Sequence, residues 1–348
     1  LSNRLSAQAT VNYTQNQSDN LPGGGYDENN IMQSVGGWFG RQVDMAPLEE
    51  KWDELDVFGE PYNWNRSYHN NVFWTLNKNT TSRDRKRMFG NFSLTYQLTD
   101  WLSAMGRVGT DFWNEYRKHV VADGSIESSF GGSFWQEQRE DNETNIDFIL
   151  TADKDFGEDF STKVILGANY MNRKYHFMSL EAAELTVPDL YTIGNVNGNA
   201  STGIYDEERE RNSVFGSASF AYKRFLYLDV TGRNDWSSTL PKDNWSYFYP
   251  SVSLSFVFTE AFDFLPNIFT FGKIRASWAQ VGNATNPYQT VATYSSSADP
   301  FSGVAQYFYA RELPPLELEP EKTTSTEIGA DLKLLNNRIG FDFTYYDK

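Results

Sequence analysis

The sequence lacks cysteine and holds only three histidines among its 348 residues. Without cysteine, neither a disulfide framework nor a thiolate metal site can form. His69, His119 and His176 are far apart and show no metal-ligand spacing, so we interpret them as ordinary surface histidines in separate loops. A Gly-x-Ser-x-Gly nucleophile motif is also absent. These absences predict a protein that is not an enzyme.

Long apolar runs and an excess of basic residues are missing as well. No apolar run approaches the roughly eighteen residues that a membrane helix needs, so any membrane crossing must use strands. The formal net charge is −16, which argues against nucleic acid as a partner because nucleic acid attracts basic surfaces. We interpret the acidity first as an aid to the solubility of exposed loops, and second as a funnel for neutral or cationic ligands.

What the sequence does contain is eleven segments in which apolar and polar residues alternate with a period of two. This period is typical of β-strands with one apolar face. Such a face either packs on a second sheet or meets lipid, while the polar face lines a wet interior. We expect the apolar faces to lie exposed on an outer wall, at Phe92, Leu94, Val252, Leu254, Phe341 and Phe343.

The connections between these segments alternate in length. The long ones are residues 14–85, 114–139, 176–208, 237–246 and 282–321, and the short ones are residues 99–100, 155–159, 223–224, 260–269 and 336–337. Outer-membrane barrels sort their connections in this way, with long extracellular loops and short periplasmic turns. The segments run to about ten residues, enough to cross a bilayer at a tilt. The sequence therefore predicts an all-β fold, a transmembrane antiparallel β-barrel in the bacterial outer membrane.

The barrel is expected to be partial. A strand pattern is already running at Leu5, and another is still running at Tyr345 and Tyr346. Eleven is an odd number, whereas a closed single-chain bacterial barrel has an even number of strands. We therefore expect residues 1–348 to be part of one barrel domain of a longer protein.

The first long connection contains two features of local structure. Met45, Leu48 and Trp52 follow a helical spacing, with Pro47 allowed near a helix start, which predicts a short helix. Oxygen-bearing side chains also cluster in this connection. Calcium prefers such oxygen ligands, but the spacing does not match the twelve-residue calcium loop, so we favour a solvated loop and expect no cofactor. The clustered residues are Asp27, Glu28, Asn29 and Asn30.

Aromatic residues in the connections are the best candidates for ligand contact, because their rings stack on sugar rings or apolar side chains. The alternative, which we favour, is that they form the outer aromatic girdle or pack the loops together. The candidates from the first two long connections are Trp52, Tyr62, Trp64, Tyr68, Trp113, Phe134 and Trp135.

Several segments resemble, in order along the chain, signatures of the SusC/RagA family of TonB-linked outer-membrane transporters. They are RNDWSSTLP (residues 233–241), YPSVS (249–253), KIRASW with VGN (273–278 and 281–283) and LEPEKTTSTEIG (318–329). GWFGRQVD (37–44) is similar to the outer-loop helix region of that family. The resemblance covers nearly the whole chain.

The resemblance implies a barrel of about twenty-two strands, of which this chain supplies about half. It implies active import of oligosaccharides or peptides, with a SusD-like surface lipoprotein that closes over the barrel as a lid. Energy would come from TonB acting on a plug, and neither the plug nor the TonB box has a counterpart in these residues. Outer-membrane lipid would surround the wall.

The resemblance also extends the set of candidate residues. Trp38 and Phe39 in the first connection are expected to contact the ligand or the lid. Trp236 remains a candidate because it lies near the outer end of a strand. Arg233 and Asp235 share the inward parity, and we expect them to pair with each other.

Two other classes of protein remain open. A barrel that serves only as an adhesin or anchor would show the same strands and loops. A soluble carbohydrate-binding or glycosidase β-domain would need its apolar faces to meet a second sheet, and dependence on detergent separates it from either barrel.

Overall fold

The computed structural model describes residues 3–27, 29–126, 128, 130–262, 264, 266, 268–297, 301–309 and 312–348. One antiparallel sheet of eleven strands dominates it, and each strand lies beside its neighbour in the sequence. Its strands are β1 (Leu5–Ser18), β2 (Thr81–Gln97), β3 (Leu102–Val121), β4 (Ser133–Phe156), β5 (Phe160–Ala182), β6 (Ser201–Tyr222), β7 (Leu226–Ser237), β8 (Ser246–Val257), β9 (Phe269–Asn283), β12 (Glu321–Leu334) and β13 (Ile339–Asp347). A small separate hairpin consists of β10 (Tyr294–Ser296) and β11 (Tyr307–Tyr309).

The helices are short. They are α1 (Ile31–Gln33), a π-helical turn (Ser34–Trp38), α2 (Met45–Glu50), α3 (Val72–Lys78), a 3-10 turn (Ile193–Asn195) and α4 (Phe258–Ala261). Among the described residues, no helix has the length and apolar character needed to cross a membrane.

The helix predicted in the first connection is confirmed as α2. The Asp44 side chain caps it by accepting a hydrogen bond of 3.1 Å from the backbone N–H of Ala46. Pro47 lies in the first turn, where a backbone N–H has no helical partner in any case. Leu48 is buried and anchors the helix to the rest of the connection.

The strands extend beyond the predicted segments, so the long connections shrink to residues 19–80, 122–132, 183–200, 238–245 and 284–320. The predicted bounds were too narrow because the outer parts of the strands carry polar residues on both faces, where alternation gives no signal. The sorting of the connections is confirmed, since consecutive strands pair antiparallel and these five all lie at one end. At the other end, however, the connection 258–268 is as long as the outer connection 122–132. The contrast in length between the two ends is therefore weaker than predicted.

The two faces of the sheet differ as predicted, and the burial is the reverse of that in a soluble sheet. Phe92 and Leu94 are 50% and 42% exposed, whereas Ser93 between them is only 8% exposed. The other four residues expected on the outer wall are exposed as well. We call the side of Phe92 the apolar face and the side of Ser93 the polar face. No second sheet covers the apolar face within the described part of the chain, which leaves it for lipid.

Ion pairs hold the polar face together across the strands. Arg107 on β3 donates to Asp147 on β4 at 2.8 Å, and Asn169 on β5 donates to the same carboxylate at 2.8 Å. The predicted pair of Arg233 and Asp235 is confirmed at 2.7 Å. Asp235 is only 1% exposed, and a buried carboxylate is tolerated only where partners compensate its lost hydration.

An apolar core lies at the outer ends of β3 to β5, beneath the connection 183–200. Phe134, Ala182 and Leu185 are buried there, with Tyr191 packed against them. Phe134, predicted as a candidate for ligand contact, is therefore a core residue. Gly131 has a φ of +79°, and a Cβ on it would lie 2.3 Å from the Leu185 carbonyl oxygen. Only glycine allows the two connections to approach so closely.

Neighbouring residues of β8 test the assignment of the two faces. We expect Val252→Arg to destabilise the full-length protein by about 2–4 kcal/mol, because it places a charge on the apolar face in the middle of the strand. Ser253→Arg is the matched control, since it lies opposite Asp229 on the polar face and should cost much less. Reversible unfolding in lipid vesicles measures both. Equal losses would contradict the assignment.

Candidate functional site

Two of the predicted tryptophans lie on the polar face, near the outer ends of their strands. Trp113 on β3 lies beneath Arg85, with the guanidinium carbon 4.2 Å from the ring centre. Trp135 on β4 stacks on His119 at a ring-centre distance of 5.5 Å. Large rings and a guanidinium on one wet surface are suited to stacking on a polar ligand.

Charged residues surround Trp113, and the search for catalytic and ligand residues missed them. Asp141 on β4 lies directly across from Trp113 and accepts a hydrogen bond of 2.9 Å from Arg173 on β5. Glu115 accepts a hydrogen bond of 2.6 Å from Arg117 and is almost fully buried. The sequence does show ionisable residues at every second position of these strands. This alternation was obscured because the residues between them are polar too.

Trp236 does not join this group. Register pairs it with Asn212 on β6 and Ser246 on β8, and its parity is opposite to that of Asp235. It therefore shares the apolar face with Val230, near the outer end of β7. This position favours the alternative, a place in the outer aromatic girdle.

Aromatic pairs pack the first connection internally. Trp38 stacks on Tyr68 at 5.6 Å between ring centres and lies 4.9 Å from the His69 ring. Phe39 lies 4.7 Å from Trp64. Four of the predicted candidates in this connection therefore already have ring partners, which favours loop packing over ligand contact for them.

Trp52 and Tyr62 occupy different positions in the same connection. Trp52 is half-buried just beyond α2. Tyr62 has the ammonium of Lys51 at 5.5 Å from its ring centre, and its carbonyl accepts a hydrogen bond from Asn71. Of the predicted candidates in this connection, Tyr62 lines the cavity described next.

A cavity of about 550 Å³ lies between the connections 19–80 and 122–132. Amides, carboxylates and rings line it, a mixture suited to a polar ligand with some apolar surface. The lining includes Glu60, Tyr62, Asn65, Arg66, Asp123 and Phe130.

Side-chain hydrogen bonds dock the two connections around this cavity. The Trp74 indole donates a hydrogen bond of 2.9 Å to the Ser125 hydroxyl. That hydroxyl in turn donates a hydrogen bond of 3.0 Å to the Asn79 side chain. The backbone N–H of Ile126 donates 2.8 Å to the Asn70 side chain. All these groups are largely or fully removed from water, so the bonds are costly to break and hold the cavity open.

The charge of Asp56 at the rim of the cavity is stabilised locally. Partial burial raises the pKa of Asp56, but the backbone N–H groups of Phe58 and Glu60 and the Arg66 guanidinium lower it, and the lowering prevails. Asp56 is therefore ionised at neutral pH and forms an ion pair with Arg66.

The oxygen cluster in the first connection contributes to local structure. Asp27 accepts 2.9 Å from the backbone N–H of Asn29, and Asn30 caps α1. Glu28 lies outside the described residues. Within the part of the chain that the structure describes, no three His, Cys, Asp or Glu residues are grouped for a metal ion.

The interpretation of the three histidines as surface residues in loops was wrong in part for each of them. His69 is 3% exposed, and His119 is buried on β3, not in a loop. His176 is exposed but lies on β5, where it contacts Asp206 at 2.6 Å. The burial depends on contacts with Trp38 and Trp135, which are distant in the sequence and left no local signal.

Comparison with known proteins places the whole chain in one group. A family model described as "TonB dependent receptor-like, beta-barrel" matches residues 1–348. TonB-dependent receptor P3 of Formosa agariphila is 27% identical over 271 residues, which are 74% of this chain and 26% of that protein. The chain thus spans about a quarter of the length of that relative.

Solved structures share the fold. A chain of the RagAB peptide transporter matches 99% of this chain with a TM-score of 0.81 and 15% identity, and this chain covers 38% of it. The siderophore receptor PiuA from Acinetobacter baumannii matches 99% of this chain with a TM-score of 0.52 and 15% identity, and 48% of its own length is covered. Identities this low show a common barrel fold only.

Asn71 provides a test of the loop architecture around the cavity. It is buried, caps α3 through Phe73, and donates to the carbonyls of Leu48 and Tyr62. We expect Asn71→Ala to destabilise the outer connections by about 1–3 kcal/mol and to speed their cleavage by protease added to intact cells. The control is Asn77→Ala on the exposed side of the same helix, which should leave cleavage unchanged. Resistance equal to that of the unmodified protein would contradict this account.

Proposed function

The chain belongs to the TonB-dependent receptor-like β-barrel family of the bacterial outer membrane, and we propose that it forms part of the wall of an active importer. In the whole protein, TonB would act on a plug inside the barrel to supply the energy. The chain itself would provide wall strands and outer connections and would carry out no bond chemistry.

The proposal rests on one observation, the composition of the polar face near the outer ends of the strands. Trp113 and Trp135 stand there among paired charges, beside outer connections that enclose a polar cavity. An anchor or adhesin needs an apolar face to hold it in lipid, but it has no need of large rings on the face turned away from lipid. The arrangement therefore supports passage of a ligand along the inside of the wall.

We propose peptides or oligosaccharides as the imported class and a SusD-like lipoprotein as a lid over the outer connections. The RagAB proteins, whose fold this chain shares, are described as a peptide importer, which supports the peptide class. Rings and amides at the cavity between the outer connections suit either class.

Tryptophan substitutions on opposite faces test the import proposal. We expect Trp113→Ala and Trp135→Ala in the full-length protein to lower uptake of the nutrient by roughly three- to tenfold, since each removes a stacking surface. Trp236→Ala is the control on the apolar face and should leave uptake nearly unchanged. Uptake by intact cells is the measurement, with the amount of folded protein in the outer membrane determined in parallel. Uptake unaffected by both inner substitutions would favour an anchor without transport.

A second experiment tests the lid. Replacing Trp52 and Trp64 together by Ala alters the surface of the first connection without touching a strand. We expect less lipoprotein to co-purify with the variant, while barrel assembly stays normal. Unchanged co-purification would mean that the two rings only pack the connection.

A further inference from the structure

The sheet has a step between β6 and β7. β6 begins at Ser201, and β5 pairs with it along nearly its whole length. Pairing with β7 starts only at Arg211, opposite Ser237, because β7 is much shorter. In the described part of the chain, residues 201–210 of β6 thus have a strand on one side only.

The hydrogen bonds at the foot of the step identify which residues face the open side. The backbone N–H of Glu210 donates a hydrogen bond of 2.9 Å to the Ser238 hydroxyl. The carbonyl of Glu210 accepts a hydrogen bond of 3.0 Å from the backbone N–H of Ser238. The N–H of Glu208 donates 3.1 Å to the hydroxyl of Tyr288, from the connection 284–320. Since alternate residues of a strand direct their backbone groups to the same side, Thr202, Ile204 and Asp206 face the open side as well.

This stretch of edge is suited to the addition of a strand. β5 holds it in an extended conformation, no proline interrupts residues 201–210, and Ile204 is 69% exposed. From Thr202 to Asp206 the edge offers roughly 17 Å of backbone. Natural sheets usually cover or block such edges, because they are templates for another extended chain.

The side chains along the edge select the sign of the partner's charge. Residues 206–210 read Asp-Glu-Glu-Arg-Glu, so four carboxylates accompany one guanidinium. The side chains of Asp206 and Glu208 stay 72% and 49% exposed although His176 and Lys174 approach them. Like charges on adjacent strands repel, which disfavours a second copy of this edge and favours a cationic strand.

We propose that the edge of β6 at Thr202–Asp206 binds an extended cationic peptide by β-strand addition. Lysine or arginine of the peptide lies beside Asp206 and Glu208, and the aliphatic stem of a further lysine or arginine lies beside Ile204, because these three side chains share one face of the strand. This inference rests on the proposed import function, because it makes the edge a capture site for cargo beyond the bilayer, before the cargo enters the barrel. The side chains of Ile204, Asp206 and Glu208 lie on the side of the sheet opposite to Trp113. It does not involve Trp113 or Trp135.

The probe is a fluorescein-labelled, end-blocked peptide of the sequence Lys-Val-Lys-Thr-Lys-Val, and fluorescence anisotropy reports its binding to the full-length protein in detergent. Two further peptides carry backbone N-methyl groups, one on the three lysines and the other on the three alternate residues. Strand addition uses the N–H groups of only one of these sets. We expect one methylated peptide to bind at least roughly tenfold more weakly and the other to bind nearly as well as the probe. Equal behaviour of the two, or no binding of the probe, overturns the proposal.

Charge reversal locates the site. Asp206→Lys with Glu208→Lys should weaken binding at least roughly tenfold. Glu158→Lys with Asp159→Lys, in the turn at the opposite end of the sheet, changes the net charge equally and should leave binding unchanged. Equal loss in both variants would indicate attraction by net charge alone and would overturn the edge as the site. Failure of the peptide to bind leaves the import proposal intact, because uptake by the Trp113 and Trp135 variants tests that separately.

Discussion

Backbone pairing is the constraint from which the rest of this structure follows. A strand in hydrocarbon cannot hydrogen-bond to water, so its N–H and C=O groups must pair with neighbouring strands. Each strand of the sheet from β1 to β13 is hydrogen-bonded to the next, and the pairing of β12 with β9 shifts register at Lys333 and Leu334. Continuous pairing forces side chains to alternate between two faces, and it forces successive connections to opposite ends of the sheet.

Alternation then determines where charge can be placed. The apolar face meets lipid, so ionisable residues within the bilayer must lie on the polar face, where they crowd together. Asp235 illustrates the result, because it accepts from Arg233 and from the Tyr249 hydroxyl, and Arg233 also reaches Ser213. These contacts join β6, β7 and β8 by side chains as well as by backbone. Burying an unpaired carboxylate would cost free energy, and the hydrogen bonds from partners on the same and adjacent strands offset that cost.

Beyond the bilayer the constraint relaxes, and the outer part of the molecule is organised differently. Both faces of β3 to β6 are wet there, and a conventional apolar core of Phe134, Ala182 and Leu185 holds a connection against the wall. Amides and hydroxyls, such as Asn71 and Ser125, dock the first two connections. Because these bonds are sequestered from water, they form a defined cavity from segments that contain little regular structure.

The sequence alone determined the eleven strands of the main sheet, its two faces, the ends at which the connections lie, and the helix capped by Asp44. Each of these follows from periodicity or from contacts between near neighbours. Tertiary structure alone decided how far the strands continue outside the bilayer, the burial of His69 and His119, and the hairpin of β10 and β11. It also decided the cavity and the open edge of β6. Those features depend on contacts between residues tens of positions apart, such as Trp74 with Ser125, or on the unequal lengths of β6 and β7, and no local pattern encodes them.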